Sequence, residues 1–347
     1  MNCKQTKVWT VDNQVNRRML DEAAELLKRN EVVAFPTETV YGLGGNARSD
    51  EAVRKIFAAK GRPSDNPLIV HISALPQLND VAGTVSEPAK RLMEAFWPGP
   101  LTLVLPKGRG VSELVTAGLS TVAVRMPNHP AALALIESAR LPIAAPSANR
   151  SGRPSPTNAA HVKLDLDGKI AGIVDGGETG IGLESTVVDC SGDDVVILRP
   201  GGVTRREIAA ALGARARVVS AVAAKDGEAP KSPGMKYRHY APHAELTLVD
   251  GPLAALQEQV DRARRTGKKV GVMTTYEHER FFDADVVLPC GTSSDLSTVA
   301  RGLYRTLREF DMHDVDVIYS EVFPETGVGE AIMNRLNKSA AGRIRKR

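Results

Sequence analysis

Short apolar segments that end in polar, Gly-rich or Pro-rich turns recur through the first 200 residues, and this alternation restricts the fold more than any other feature. Seven segments predict strands, at residues 32–36, 68–72, 101–105, 121–126, 142–147, 185–189 and 195–200. Helical spacing of Leu20, Ala23, Ala24 and Leu27 predicts one helix, and residues 50–59, capped by Asp50 and stopped by Gly61, predict another. Because strands outnumber helices, we predict an α/β body built on a twisted mixed sheet.

A second alternation starts at Glu245 and is more regular than the first. Strands are expected at 245–250, 269–275, 284–289 and 315–322, and helices at 253–265, 296–310 and 330–338. This βαβα order is typical of a small doubly wound, Rossmann-like domain. Thr204 and Glu207 form a capping box that opens a further helix, which Gly213 ends. We therefore predict a first domain over 14–203, a linker over 204–244 and a C-terminal domain over 245–347.

The net charge of +4, from 45 Lys and Arg against 41 Asp and Glu, suggests nucleic-acid binding until its distribution is considered. Residues 1–203 carry 22 basic and 22 acidic residues, and residues 246–347 carry fifteen of each. The whole excess lies in residues 204–245, with eight basic and four acidic residues. Aromatic residues make up 4% of the chain, too few for a single-strand binder built on stacking. Charge and composition therefore argue weakly against a nucleic-acid-binding protein.

The sequence predicts a cytoplasmic protein without a membrane anchor. The N-terminal residues contain no apolar run of the kind found in signal peptides. No uncharged apolar run approaches about 18 residues, the minimum for a transmembrane helix. Cys3, Cys190 and Cys290 are too widely spaced for a disulfide framework or a zinc site, and a reducing compartment suits them.

Polar clusters follow the predicted strands, where α/β proteins place their ligands. They are PTETVYGLG (36–44), KGRPSDNPL (60–68), APSANRSGRPSPT (145–157) and GLESTVVD (182–189). The chain contains no Walker A, HExxH, GxSxG or CxxC sequence and no GxGxxG after a strand. Two of these clusters have a purely structural alternative. Residues 36–44 could be a Gly-rich turn over a buried Tyr41, and residues 145–157 could be a solvated surface loop.

Cations at strand and helix ends point to an anionic ligand. Lys60 and Arg62 lie close together in sequence, which suits a polyphosphate or a carboxylate, although two cations could instead complement a helix C-terminus. Arg125 and Arg199 each end an apolar strand, a position where arginine is paired or bound to a ligand. His71 lies within an apolar strand, where a satisfied core histidine is the alternative. These residues predict an enzyme of phosphoryl or nucleotidyl transfer that works by positioning and charge stabilisation.

The clusters resemble a known family in sequence and in order. PTETVYGLG, K-x-R-P-x-x-NPLIVHI, WPGPLTLVL, TVAVRMP, APSAN-x-SGRPSPT, ESTVVD and ILRPG resemble the YrdC-type domain. SPGMKYRHYAPHAEL and GVGEAIMNRLNKSA resemble the two-domain threonylcarbamoyl-AMP synthases, so the resemblance spans residues 15–340. It implies a nucleotidyltransferase in which 14–203 is the catalytic domain. L-threonine, bicarbonate and ATP would give threonylcarbamoyl-AMP and pyrophosphate, for N6-modification of adenosine in tRNAs that read ANN codons.

Residue roles are implied by the same resemblance. The site for L-threonine and bicarbonate would comprise Thr37, His71, Thr116, Arg125 and Ser185. Lys60 and Arg62 would be the catalytic pair, holding the phosphates and bicarbonate. The ATP site would comprise Lys60, Arg62, Ser147, Asn149, Ser155, Arg199 and Tyr240, with Mg²⁺ expected on the triphosphate and no protein ligand identified for it. In the linker, Tyr237, His239 and Tyr240 resemble a segment that folds over the site, against the alternative of a purely structural linker.

Two other functions are alternatives to the synthase. An RNA-binding module is the first, since YrdC-type domains have a concave basic surface, and it predicts an affinity that falls steeply with salt. A carbamoyl-transferring relative is the second, because the same domain occurs in hydrogenase-maturation proteins, but the acylphosphatase and zinc-finger segments of those proteins are absent here. Downstream tRNA threonylcarbamoyl-transferase proteins are the implied partners, and direct RNA binding is not required. The oligomeric state, the motion of the linker and the role of the C-terminal domain stay open.

Overall fold

The computed structural model describes residues 5–11, 17–213, 218–220 and 240–346. The chain forms two compact units. The first consists of Met1–Ser151, Pro156–Gly180 and Glu184–Lys236, and the second of Gly152–Ser155, Ile181–Leu183 and Tyr237–Arg347. No helix among the described residues is both long and apolar enough to cross a membrane.

One sheet of eleven strands organises the described part of the first unit. The strands are β1 (Lys7–Thr10), β2 (Val33–Phe35), β3 (Gly42–Asn46), β4 (Ile69–His71), β5 (Leu101–Pro106), β6 (Thr121–Arg125), β7 (Ile143–Ala144), β8 (Gly172–Asp175), β9 (Thr186–Asp189), β10 (Val195–Arg199) and β11 (Val218–Ser220). Their order is β1-β8-β2-β3-β7-β4-β6-β5-β9-β10-β11. The sheet contains both parallel pairs, such as β4 with β6, and antiparallel pairs, such as β5 with β6, so it is mixed as predicted.

Helices cover this sheet because each carries an apolar face. They are α1 (Arg17–Lys28), α2 (Asp50–Lys60), α3 (Leu78–Val81), α4 (Glu87–Phe96), α5 (Glu113–Thr116), α6 (Pro130–Ala139), α7 (Ala159–Leu166) and α8 (Arg205–Leu212). Leu20, Ala23, Ala24 and Leu27 of α1 are buried together with residues of α6, as their helical spacing predicts. A separate and larger cluster packs α2, α4 and α8 against β4, β5 and β6. The described part of the first unit therefore has a large core under each of these two groups of helices.

The second unit contains one parallel five-stranded sheet among its described residues. Its strands are β12 (Glu245–Asp250), β13 (Val270–Thr274), β14 (Val286–Pro289), β15 (Val317–Glu321) and β16 (Ile344–Lys346), in the order β14-β13-β15-β12-β16. Its helices are α9 (Leu253–Arg265), α10 (Leu296–Phe310) and α11 (Gly329–Ser339). This arrangement matches the predicted Rossmann-like class.

Local sequence signals account for several element ends. Gly61 adopts the left-handed conformation (φ 60°) that ends α2, and its N–H bonds to the carbonyl of Ala58. The Thr204 and Glu207 capping box is present at the start of α8. The expectation that Asp50 caps α2 is wrong by one residue. Ser49 has the extended backbone that a cap requires, and its hydroxyl accepts the N–H of Ala52.

No strand was predicted at the positions of β1, β8 and β11, and two further strands differ from the sequence expectation. β3 begins inside the PTETVYGLG segment and continues two residues beyond it. The segment suggested only a turn, because its glycines carry no apolar alternation. β7 is confined to Ile143–Ala144, since the flanking Pro142 and Pro146 have no N–H for ladder pairing. Much of the predicted linker, including Tyr237 and His239, lies outside the described residues. The boundaries 14–203, 204–244 and 245–347 remain a prediction.

The Gly302→Ala substitution tests the packing of α10 in the second unit. Alanine normally stabilises a helix interior by about 1 kcal/mol over glycine. Here a β-carbon would overlap the backbone carbonyl oxygen of Cys290, which cannot rotate away. Overpacking of this kind costs about 1–3 kcal/mol, so we expect a lower unfolding midpoint by circular dichroism. Gly192→Ala, which meets no atom within 4 Å, is the control, and a Gly302→Ala midpoint at or above that of the wild type would contradict this packing.

Candidate active site

A row of polar side chains crosses one face of the first sheet. Four neighbouring strands bury an apolar cluster on that face, formed by Ile69, Ala123, Val104 and Val187. Side chains two positions apart point to the same face of a strand. The positions two residues away, toward one edge of the sheet, are therefore on that face too, and they are His71, Arg125, Thr102 and Ser185. We call these four residues the polar row.

Arg125, at the end of β6, is the charged centre of the polar row. Its side chain is 4% exposed, and each of its three nitrogens contacts an oxygen. Nε donates to the carbonyl of Gly99 (3.2 Å), Nη1 donates to Oγ1 of Thr39 (2.9 Å), and Nη2 lies 2.7 Å from Oε1 of Glu38. A buried guanidinium requires such partners because burial removes its water. The contacts hold it in one orientation, open to a carboxylate or phosphate.

Thr37 lies in the loop that supplies two of these partners. Its hydroxyl accepts the N–H groups of Thr39 and Val40, both at 3.2 Å, and lies 2.8 Å from Oγ1 of Thr39. Thr39 in turn contacts Arg125, so the loop is tied to the polar row through hydroxyl groups. Backbone bonds tie the same segment to the 145–148 region, where the N–H of Ala148 donates to the carbonyl of Tyr41 (2.8 Å). PTETVYGLG is therefore the segment that adjoins both candidate subsites.

Lys60 forms the second candidate subsite, together with Ser147 and Asn149. Its ammonium donates to the carbonyl oxygens of Ser147 (2.5 Å) and Asn149 (2.6 Å) and lies 3.2 Å from Oδ1 of Asn149. The hydroxyl of Ser147 also bonds to that Oδ1 (2.5 Å). Lys60 is 4% exposed, so it binds a neighbouring loop rather than extending into solvent from the helix end. The arrangement is a fixed cation surrounded by polar groups, which suits phosphate.

Arg62 and Thr116 lie near the segment before β4. Arg62 donates from Nη2 to the carbonyls of Asn66 (3.4 Å) and Pro67 (3.3 Å), which curls the loop around its guanidinium. The N–H of Leu68 donates to the carbonyl of Val115 (2.8 Å), which places α5 beside this loop. The hydroxyl of Thr116 donates within its own turn to the carbonyl of Glu113 (3.3 Å). Thr116 is thus close to the loop that contains Arg62, while Arg125 and Ser185 belong to the polar row.

Ser185 and Arg199 lie together beyond Thr102. Arg199 donates from Nε (3.1 Å) and Nη2 (3.0 Å) to the carbonyl of Ser185, and Nη2 also lies 3.2 Å from its hydroxyl. The hydroxyl of Ser185 bonds to Oγ1 of Thr102 (2.7 Å). The antiparallel pairing of β9 and β10 explains this meeting, because the end of one strand lies beside the start of the other. The sequence does not predict Thr102 as a site residue, because it lies inside an apolar run.

The remaining predicted site residues with a described structure, Ser155 and Tyr240, lie in the second unit. Tyr237 and His239 lie outside the described residues. Ser155 is fully buried. Tyr240 stacks on Tyr304 with ring centroids 5.2 Å apart, and the guanidinium carbon of Arg335 lies 5.8 Å from its ring. Its backbone adopts φ 65°, and its carbonyl accepts the hydroxyl of Ser339 (2.9 Å). Tyr240 is therefore anchored within the second unit.

His71 is held neutral by its surroundings. Burial, followed by the charge of Arg125, lowers the pKa of His71 from 6.5 to about 3. Its ring meets Phe35 edge-on at 5.9 Å, and its Nδ1 has no hydrogen-bond partner among the described residues. Asn66, which is 1% exposed, likewise has neither side-chain atom hydrogen-bonded within the described part of the chain. A neutral imidazole and a buried amide can both orient a polar ligand without exchanging protons.

No described group of three or more His, Cys, Asp or Glu side chains is arranged to hold a metal ion. The described polar groups of the two subsites are mainly cations, hydroxyls and amides. Such donors suit the phosphate oxygens of a nucleotide better than a resident divalent cation, which prefers carboxylate oxygens. The site therefore does not fit a metal held by the protein alone.

The neutrality of His71 predicts a pH dependence of stability. The unfolded state binds a proton at His71 below pH 6.5 and the folded state does not, so this term falls as pH decreases toward 3. From pH 7.5 to 5.0 the wild type should lose roughly 2 kcal/mol relative to His71→Gln. Urea unfolding followed by fluorescence of Trp9 and Trp97, both in the first unit, measures this. An equal difference at both pH values would show that His71 is not held neutral.

Comparison with known proteins identifies the family. The family model described as "Telomere recombination" matches residues 25–201, and the model of the threonylcarbamoyl-AMP synthase C-terminal domain matches residues 203–341. The threonylcarbamoyl-AMP synthase of Bacillus subtilis is 56% identical over 344 residues, covering 98% of this chain and 99% of that protein. The enzyme of the same name from Schizosaccharomyces pombe is 43% identical, covering 94% and 89%.

A solved structure extends the similarity to the fold. The crystal structure of P. abyssi Sua5 complexed with L-threonine has a TM-score of 0.93 and 48% identity, covering 99% of this chain and 100% of that chain. Two family models together match most of this chain, and full-length relatives share about half of its residues. The chain therefore belongs to the two-domain threonylcarbamoyl-AMP synthase family.

Proposed function

We propose that this chain condenses L-threonine, bicarbonate and ATP to threonylcarbamoyl-AMP and pyrophosphate. Full-length relatives of 43–56% identity carry the name of that activity. The product serves the N6-threonylcarbamoylation of adenosine in tRNAs that read ANN codons. The enzyme is a nucleotidyltransferase, because AMP passes from pyrophosphate to an oxygen acceptor.

Three buried cations are the structural observation that carries this proposal. Lys60, Arg125 and Arg199 are each 4% exposed. Threonine carries a carboxylate, bicarbonate carries one negative charge and ATP carries phosphates, and these negative groups repel each other unless cations lie between them. Groups fixed before the reaction can stabilise developing charge without reorganising. The first unit thus has the positive charge that is needed to bind a carboxylate, bicarbonate and phosphates together.

The reaction needs no covalent intermediate on the protein. The α-ammonium group of threonine first loses a proton to solvent, and the free amine then attacks bicarbonate, which forms a C–N bond and releases water. An oxygen of the resulting carbamate attacks the α-phosphorus of ATP, and the bond to the β-phosphate breaks to release pyrophosphate. The substrates supply both nucleophiles, so the protein contributes position and charge. This agrees with a sequence that contains none of the common nucleophile motifs.

Residue roles follow the two subsites. Arg125 binds the carboxylate of threonine, and Thr37, His71 and Ser185 orient its polar groups beside it. Lys60 and Arg62 bind the phosphates and bicarbonate, and Thr116 completes the substrate pocket near Arg62. The nucleotide contacts the remaining predicted residues, which are Ser147, Asn149, Ser155, Arg199 and Tyr240.

Further components complete the proposal. Mg²⁺ enters with the triphosphate and is coordinated by phosphate oxygens and water. Proteins that transfer the threonylcarbamoyl group to tRNA act downstream as partners. The reaction takes place in the cytoplasm, where the free thiols of Cys190 and Cys290 stay reduced. Burial raises the pKa of both thiols to about 12, which keeps them inert.

Pyrophosphate release tests the proposed function. Purified protein with Mg²⁺ and ATP should release pyrophosphate only when L-threonine and bicarbonate are both present. Lys60→Ala and Arg62→Ala should each reduce that rate by roughly a hundred-fold or more, since each removes a fixed charge from the reacting groups. A coupled pyrophosphate assay gives the rates.

Lys163→Ala is the matched control, because Lys163 is an exposed cation of α7. It should retain wild-type activity, and circular dichroism should show that all three variants are folded. Full activity in both the Lys60 and Arg62 variants would contradict the assigned subsite. Pyrophosphate release that is independent of threonine would contradict the proposed reaction.

A further inference from the structure

Glu38 is the acidic residue in contact with Arg125, and its role is not explained by the fold. Its side chain is 14% exposed and pairs with a guanidinium that is 4% exposed. Neither carboxylate oxygen accepts a hydrogen bond from any described residue. A carboxylate has about four acceptor sites, and a buried ion pair is stable only when such sites are filled. If Glu38 were only a structural counter-ion, most acceptor sites of its carboxylate would be buried without a hydrogen bond, which destabilises the fold.

The other partners of Arg125 do not supply a negative charge. Gly99 offers a carbonyl oxygen and Thr39 a hydroxyl, and both are neutral. Among the described groups that contact the guanidinium, Glu38 alone carries negative charge. The site thus presents a positive and a negative group only 2.7 Å apart. An α-amino acid carries its carboxylate and its ammonium group on one carbon atom, so its two charges are equally close together.

We propose that Glu38 is a specificity-determining residue, which binds the α-amino group of the amino-acid substrate while Arg125 binds the carboxylate. This inference rests on the proposed function, because it assigns a partner to the amine of threonine. An ammonium group has three donors and no acceptor, which complements two carboxylate oxygens that lack hydrogen bonds. The zwitterion would lie against the Glu38 and Arg125 pair with opposite charges facing each other. Glu38 then selects for an α-amino acid over other small carboxylates.

The position of Glu38 supports this assignment. The residue lies between Thr37 and Thr39, whose hydroxyls bond to each other, and the hydroxyl of Thr39 also accepts a hydrogen bond from Nη1 of Arg125. The loop is therefore fixed on both sides of Glu38, and the carboxylate has little freedom to move away from Arg125. His71, in the same row, is neutral and cannot balance an ammonium charge. The carboxylate of Glu38 can balance that charge.

Comparison of two ligands tests this role directly. The first is L-threonine, and the second is its 2-hydroxy analogue, in which a hydroxyl replaces the amine with the configuration retained. Calorimetry gives the affinity of wild type, Glu38→Gln and Glu38→Asp for each ligand. We expect Glu38→Gln to weaken threonine binding by roughly ten-fold or more, the value of a charge-assisted hydrogen bond. Binding of the analogue should change little, so the preference for threonine collapses.

The other outcomes overturn the inference. If Glu38 only positions Arg125, both ligands weaken by the same factor and the preference is unchanged. If Glu38 only competes with the substrate carboxylate, both ligands bind more tightly to Glu38→Gln. If the wild type binds neither ligand, the proposed threonine site itself is wrong. If it binds threonine but the preference survives the substitution, the role of Glu38 alone is wrong.

Two controls separate binding from folding. Glutamine has nearly the size of glutamate, so Glu38→Gln should keep the wild-type unfolding midpoint within a few degrees. Glu94→Gln changes an exposed carboxylate on α4 and should leave both affinities unchanged. Glu38→Asp keeps the charge on a shorter side chain and should retain part of the preference for threonine. Equal loss of preference in Glu38→Asp and Glu38→Gln with a lowered midpoint would indicate a structural role and overturn the inference.

Discussion

The burial of positive charge is the constraint on which the first unit depends. Lys60, Arg125 and Arg199 are almost inaccessible to water, so each must be surrounded by oxygens that replace it. The chain meets this requirement with carbonyl groups of loops, as in the bonds of Lys60 to Ser147 and Asn149, and with hydroxyls such as that of Thr39. The loops at the sheet are thereby fixed by the same cations that would bind substrate. The same buried cations therefore both stabilise the loops and prepare the site to bind anions.

The pleat of the sheet determines how the polar groups are arranged. Apolar side chains on β4, β5, β6 and β9 bury one part of a face, and the positions two residues along present the polar row at its edge. A neutral His71 beside Arg125 keeps proton exchange out of this row. Together with Glu38, the row offers both signs of charge in a small volume. That arrangement suits a zwitterion, while the neighbouring Lys60 subsite suits phosphate.

Sequence predicted the elements whose patterns are strong. The bounds of α9 and α10 agree with the predicted helices, since apolar periodicity and capping residues act locally. β3 was missed because a Gly-rich segment has no alternation to detect, and its pairing depends on β2 and β7. Thr102 was missed because a single hydroxyl within an apolar run looks like core. Glu38 was missed because only the contact with Arg125, far away in sequence, shows its role. Cations at strand ends were predictable, but their partners required the fold.

In the proposed reaction the bound substrates react with each other, while the protein supplies position and charge. Labelled bicarbonate offers the most direct test, because its carbon must enter the product through the threonine amine. With ATP and threonine present, the label should appear in an acid-labile adenylate, and omission of threonine should abolish that signal. Pyrophosphate release without label in an adenylate, or labelled adenylate formed without threonine, would contradict the account.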